Sequence, residues 1–211
     1  MGLPNVGKST IFNALTNSDI PSENYQFRTI DPNVGIVNIP DFRLERLARI
    51  FNPQKTKHAT MEFVDIAGLV KGASHCEGLG NQFLSHIRDV DAIIHVVRLF
   101  EDKNVSHVEG ELDPIRDIKI VETELLIRDI ASVDKRMEKL AKTARIGDKK
   151  SKEELTILEI ILPKMNNGIR VYDIKLEKNQ YQKIQQMALL TAKPTLYVAN
   201  VDENEMLSES R

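Results

Sequence analysis

A chain of 211 residues, 41% of them hydrophobic, is long enough for one or two domains with a buried core, and 29 Lys and Arg against 31 Asp and Glu leave a formal net charge of only -2. Such a balance supplies no broad field to draw the molecule onto nucleic acid, so the chain is read as binding no DNA and any anion site has to be local. Cys76 is the only cysteine, which excludes an internal disulfide and suits a reducing cytoplasm, and no apolar run nears the roughly 20 residues that a bilayer span requires.

The first motif begins at residue 2. Gly2-Leu3-Pro4-Asn5-Val6-Gly7-Lys8-Ser9 fits G-x-x-x-x-G-K-[ST] at every defined position, and Thr10, Ile11, Phe12, Ala14 and Leu15 continue it as a helix with one apolar face. Glycines let the backbone curl so that successive N-H groups point at a phosphate, while the helix that follows presents its positive end to the same anion. In this pattern Lys8 reaches the outer phosphates and the Ser9 hydroxyl ligates Mg²⁺. The competing reading is a chance Gly-rich turn before a helix.

Thr29 follows about 20 residues later, in a Pro- and Asn-rich stretch that leads into an alternating segment, Val34 to Ile39, read as a strand. A threonine there can add a second Mg²⁺ ligand and sense a γ-phosphate, or it can be an ordinary turn residue. An apolar strand over Met61–Val64 then runs directly into Asp65-Ile66-Ala67-Gly68, where Asp65 can hold the Mg²⁺ shell through water and the Gly68 N-H can meet the γ-phosphate. Two further buried parallel strands are expected in Asp91–Phe100 and Pro194–Glu203, separated by helical patterns. The class is α/β, doubly wound, and Asn200-Val201-Asp202-Glu203 falls at the strand edge where such sheets bind ligands.

Between those two strands Leu126, Ile130, Val133, Met137, Leu140 and Ala144 alternate at spacings of four and three, the seam of a coiled coil. Ser151 with Glu154 reads as a capping box opening a second helix with Leu155, Leu158, Leu162 and Met165 on its apolar face, giving an antiparallel hairpin with a kink at Pro163. From Lys135 to Lys152 the tip holds eight basic residues (Lys135, Arg136, Lys139, Lys142, Arg145, Lys149, Lys150 and Lys152) against Glu138 and Asp148. That excess is either a solvated helix end or an RNA-contacting arm.

In this order "GLPNVGKST", "TIDPNVG", "DIAGLVKGA", "GLGNQFL" and "NVDE" make the chain resemble the YchF/Obg-like ATPase family, in the translation-factor-related branch of P-loop GTPases, over essentially all 211 residues. The resemblance implies a P-loop NTPase fold, with residues 1–112 and 191–211 forming a nucleotide-binding domain around an inserted helical hairpin at 113–190. It implies that Asn5, Val6, Gly7, Lys8, Ser9 and Thr10 surround the phosphates, with K⁺ as a further ligand for Asn5, and that the hairpin serves association with ribosomes or ribosomal RNA. Most relatives in the wider branch carry N-K-x-D at the base site, whereas this sequence has Asn200, Val201 and Glu203. One extra methylene misplaces the bidentate pairing with guanine, and the missing Lys removes a wall of the pocket, in keeping with the family's preference for ATP over GTP. Leu69 stands where Ras-like enzymes place a water-orienting Gln, and the resemblance points instead to His107 in "NVSHVEG" as the catalytic group beside Lys8 and Gly68; an unoccupied loop histidine is the alternative. Family members also have a strand before the loop and a C-terminal TGS domain, so the chain is expected to be truncated at both ends. A non-catalytic module that binds RNA or protein through its hairpin, or a GTPase, is the other function class; oligomeric state is not legible.

Overall fold

In the computed structural model the described residues are 1–16, 33–66, 86–102, 105 and 110–203. Helix α1 (Lys8–Thr16) grows straight out of the glycine-rich loop, its first hydrogen bond running from Ile11 N-H to the Gly7 carbonyl at 3.0 Å. Phe12 is its buried residue and faces the ribbon formed by β1 (Asn33–Asn38) and β2 (Thr60–Asp65). These two strands pair antiparallel with Gly35 opposite Phe63, and the linker between them carries α2 (Phe42–Phe51). Asp41 caps α2 by accepting from Arg43 N-H, and Asn52 ends it in a left-handed conformation at φ 42°.

Strand β3 (Ile93–Arg98) is the buried strand, with five of its six residues shielded, and it pairs parallel with β4 (Thr195–Asn200) in a register that sets His95 opposite Tyr197 and Arg98 opposite Asn200. The parallel direction agrees with the sequence pattern, but β4 is not the buried strand expected there: Leu196 is 61% exposed. Nor do the described residues form one continuous, mainly parallel sheet; they form two pairs, one of them antiparallel. The antiparallel pair is β1 with β2, joined by residues 39–59 with α2 between them.

Met1 lies between the two pairs. Its amine donates to the Ile94 carbonyl at 2.6 Å and its carbonyl accepts from Val96 N-H at 2.8 Å, the slanted bonding of a parallel bridge beside His95. Its side chain packs on the cluster of Ile66, Ile87, Ile93, Leu125 and Leu190, joined by Val64.

The long helix α3 (Pro114–Arg145) starts at Asp113, whose carboxylate accepts from Arg116 N-H at 3.0 Å, with Pro114 at the first helical position. Its first turns belong to the layer of the glycine-rich loop, where Val121 packs with Leu3, Val6 and Val96. Its later turns meet α4 (Lys149–Asn166), which returns antiparallel: Arg136 pairs with Glu154, and nearer the tip the Thr143 hydroxyl donates to Ser151 Oγ at 2.8 Å. Leu126 and Val133 are buried there with Ile157, Leu158, Ile161 and Met165, and each side chain so shielded contributes about 2 kcal/mol of apolar burial. Two details differ from the sequence reading. Asp148, not Ser151, caps α4, because Gly147 at φ 102° turns the chain just before it and lets the carboxylate reach Ser151 N-H at 2.8 Å. And Ile157 and Ile161 take the seam where Leu155, only half-buried, was expected, in a core that a third layer completes. That layer is the turn Val171–Asp173, the short helix α5 (Lys178–Gln185) and the turn Leu190–Ala192, which contribute Val171, Ile174, Ile184 and Leu189 to the same core. Helix α4 continues through Pro163 to Asn166. Among the described residues no helix is long and apolar enough to cross a membrane.

Candidate functional site

The loop between Met1 and α1 is held from three sides. Leu3 and Val6 are 3% and 2% exposed and anchor it to β3 and α3, while the Asn200 amide, arriving from the end of β4, donates to the Val6 carbonyl at 3.0 Å. The two motif glycines are demanded by this closeness. A Cβ on Gly2 would lie 2.4 Å from the Val96 carbonyl oxygen, and one on Gly7 would lie 2.3 Å from the Asn200 amide nitrogen, with φ 91° at Gly7 adding backbone strain for any other residue. Asn5 also takes a positive φ, 59°, which asparagine tolerates better than most residues.

Lys8 reaches back across the loop and donates from Nζ to the Leu3 carbonyl at 2.7 Å, so its ammonium is positioned at the loop before any anion arrives. Burial pulls its pKa down to about 8, and the nearby Asp65 carboxylate opposes that shift. Ser9 stands next in sequence, its hydroxyl donating to Asp65 Oδ2 at 2.9 Å across 56 residues. Strand β2 ends at Asp65, which is what brings its carboxylate to the first turn of α1. A hydroxyl and a carboxylate in contact, beside the N-terminus of a helix, form an all-oxygen donor pair of the kind a hard divalent cation takes up together with phosphate oxygens and water. The donors present thus fit Mg²⁺.

Of the residues singled out in the sequence, Asn5, Val6, Gly7, Lys8, Ser9, Asp65 and Asn200 come together here. Thr10 is exposed on α1, Val201 is half-buried beyond β4 and Glu203 is exposed. Thr29, Gly68 and His107 lie outside the described residues.

Arg98 was not singled out, yet it organises the chain leaving β3. It is 4% exposed, and its guanidinium donates to the carbonyls of Phe100 (3.0 Å), Val105 (3.1 Å) and Asp102 (3.3 Å) while lying 4.4 Å from the Phe100 ring centroid. A charged residue closing an otherwise apolar strand was the available signal.

The chain matches the family model described as "50S ribosome-binding GTPase" over residues 1–201. It is 52% identical over 204 residues to the ribosome-binding ATPase YchF of Haemophilus ducreyi, an alignment covering 97% of this chain and 56% of that protein, and 50% identical over 210 residues to the Bacillus subtilis protein of the same name, covering 100% and 57%. The solved structure of the Schizosaccharomyces pombe YchF GTPase superposes with a TM-score of 0.77 at 41% identity, covering 98% of this chain and 57% of that one. The chain therefore spans little more than half the length of the relatives it matches. A preformed phosphate loop, a serine and an aspartate joined at its rim, and this likeness along the chain agree on one conclusion: the chain belongs to the 50S ribosome-binding GTPase family, and within it to the YchF group.

Proposed function

We propose that this chain binds and hydrolyses ATP as a ribosome-associated switch in the cytoplasm. The observation that carries the reading is the contact of Ser9 with Asp65 directly beside the poised Lys8, which joins an oxygen pair suited to Mg²⁺ to a cation suited to the outer phosphates. Ser9, Thr29 and, through water, Asp65 would hold Mg²⁺, which supplies charge neutralisation between the outer phosphates. Lys8 binds the same phosphates, and the loop N-H groups orient them. Gly68 would donate to the γ-phosphate, and His107 would orient the attacking water, because Leu69 offers no polar group.

Asn200, Val201 and Glu203 would face the base, and the carboxylate of Glu203, one methylene longer than the aspartate that suits guanine, favours adenine. Calorimetry with ATP and GTP tests this: tighter ATP binding is expected, and tighter GTP binding overturns the base assignment. His107→Ala is expected to slow turnover at unchanged ATP affinity, and equal loss of both would place His107 in the pocket wall instead. K⁺ held by Asn5 belongs to the same reading, and equal turnover in K⁺ and Na⁺ removes it.

The two strand pairs are assigned to one doubly wound sheet, supported by the bonds of Met1 to β3 and by the packing of Met1 and Val64 on one cluster. The nucleotide-binding unit is 1–112 with 191–211, and 113–190 is the inserted coiled-coil hairpin. All eight basic residues of its tip are exposed, which supports contact with ribosomal RNA. Loss of ribosome co-sedimentation on reversing four of those charges would bear the contact out, and unchanged co-sedimentation would remove it.

A further inference from the structure

Asp129 sits near the middle of α3 and is 2% exposed. Its two oxygens are fully engaged: Oδ1 accepts from Leu190 N-H at 2.9 Å, and Oδ2 accepts from Thr191 N-H and from the Thr191 hydroxyl, each at 2.7 Å. The Thr191 oxygen in turn accepts from Val171 N-H at 3.4 Å. A buried carboxylate is expensive to keep, and burial does push this one above its ordinary range against the pull of those three donors. Neutral residues could close the same apolar layer, so the geometry that the carboxylate enforces is the feature to explain.

What it holds is the turn Leu190–Ala192, and that turn leads through Lys193 and Pro194 into β4. The Lys193 ammonium donates to the Arg88 carbonyl at 2.9 Å, and the Pro194 carbonyl accepts from Ile93 N-H at 2.9 Å, so the entry to β4 is fixed from both sides. Six residues of extended strand later comes Asn200, whose carbonyl accepts from Leu99 N-H at 2.8 Å and whose amide reaches the Val6 carbonyl. The fit at that end is tight, since a Cβ added to Gly7 would lie 2.3 Å from the Asn200 amide nitrogen. Between them β4 is held in register against β3 from Thr195 to Asn200, so residues 191 and 200 stand at the two ends of one fixed segment.

We propose that Asp129 is a positioning residue for the nucleotide base: by clamping Leu190 and Thr191 it sets the advance of β4, and so the placement of Asn200 and Val201 beside the phosphate loop. The clamp makes no contact with Lys8, Ser9 or Asp65, and its link to the phosphate loop runs only through the bond of Asn200 to the Val6 carbonyl. It makes the base half of the site depend on α3, the same helix that carries the basic tip.

The proposal rests on the nucleotide-binding reading, and the experiment separates the two. Wild type, Asp129→Asn, Thr191→Val and Thr191→Ser are compared for binding of ATP and of inorganic tripolyphosphate, each with Mg²⁺, by calorimetry. Asp129→Asn turns an amide N-H toward backbone donors, and Thr191→Val deletes the hydroxyl; each is expected to weaken ATP about tenfold and tripolyphosphate far less, while Thr191→Ser, which keeps the hydroxyl, binds ATP like wild type. Equal loss of both ligands in Asp129→Asn and Thr191→Val means that the clamp only supports the fold, and unaltered ATP binding in both means that β4 does not depend on it; either result overturns the proposal. Wild-type protein that binds neither ligand would sink the nucleotide-binding reading itself.

Discussion

Lys8→Ala is expected to abolish measurable ATP binding while the protein stays folded. The lysine donates to one loop carbonyl at 2.7 Å and contributes to none of the buried apolar clusters, so its removal costs the native state one hydrogen bond. In the complex it would make charge-assisted bonds to phosphate worth roughly 1.5–3 kcal/mol each, and the loss of two amounts to about 10²- to 10⁴-fold in affinity. The same side chain predicts a pH signature. With its pKa in the free protein near 8, Lys8 is charged below that value and neutral above it. Affinity of the wild type should therefore be flat below pH 8 and fall about tenfold per unit above it, because phosphate binds the charged form. Calorimetry on both proteins between pH 7 and 9.5 checks this. Retained affinity in the variant would remove the phosphate-loop assignment, and an affinity that does not change with pH would show that the ammonium is not the titrating contact.

The parts of the site that were legible from sequence are those fixed by local backbone demands. Gly2 and Gly7 are required by close approach to Val96 and Asn200, and the order glycine, lysine, serine records that requirement in eight consecutive residues. Asp65 was legible because an apolar strand ending on a carboxylate places it at a sheet edge. The helical period of Leu126, Val133 and Met137 was legible too, and the three side chains share one core. What escaped notice depends on contacts between distant segments. Nothing near Asp129 announces that its partners are 61 and 62 residues away, and Arg98 reads as an ordinary strand end until three carbonyls are seen around it. The exposure of β4 was missed for a related cause: "PTLYVAN" has the composition of a buried strand, and only its partners decide which side is covered. Ser151 misled because it lies within the first turn, where its own N-H donates to the carboxylate of the true cap, Asp148.

The second large effect is acid sensitivity centred on His95. The imidazole is 2% exposed in the middle of β3, with its ring centroid 5.5 Å from that of Tyr197 on the neighbouring strand. Burial lowers its pKa to about 4, helped by the N-terminal ammonium, Lys8 and Arg170, so the folded protein holds it neutral. An unfolded chain has it near 6.5. Between those values the unfolded state binds the extra proton, so stability falls as pH drops from 6.5 toward 4 by up to 1.4 kcal/mol per unit, about 3 kcal/mol across the window. Above pH 6.5 both states carry neutral imidazole and the residue adds no slope. His95→Phe keeps a ring against Tyr197 and cannot protonate, so urea unfolding measured from pH 7.5 to 4.5 should show a shallower acid decline than wild type. A variant whose curve runs parallel to the wild type throughout would exclude His95 as the source. Should the phenylalanine fail to fold, a direct NMR titration of the His95 Cε1 proton in the wild type decides the matter: a midpoint near 6.5 contradicts the buried neutral ring, whereas no titration above about pH 5 supports it.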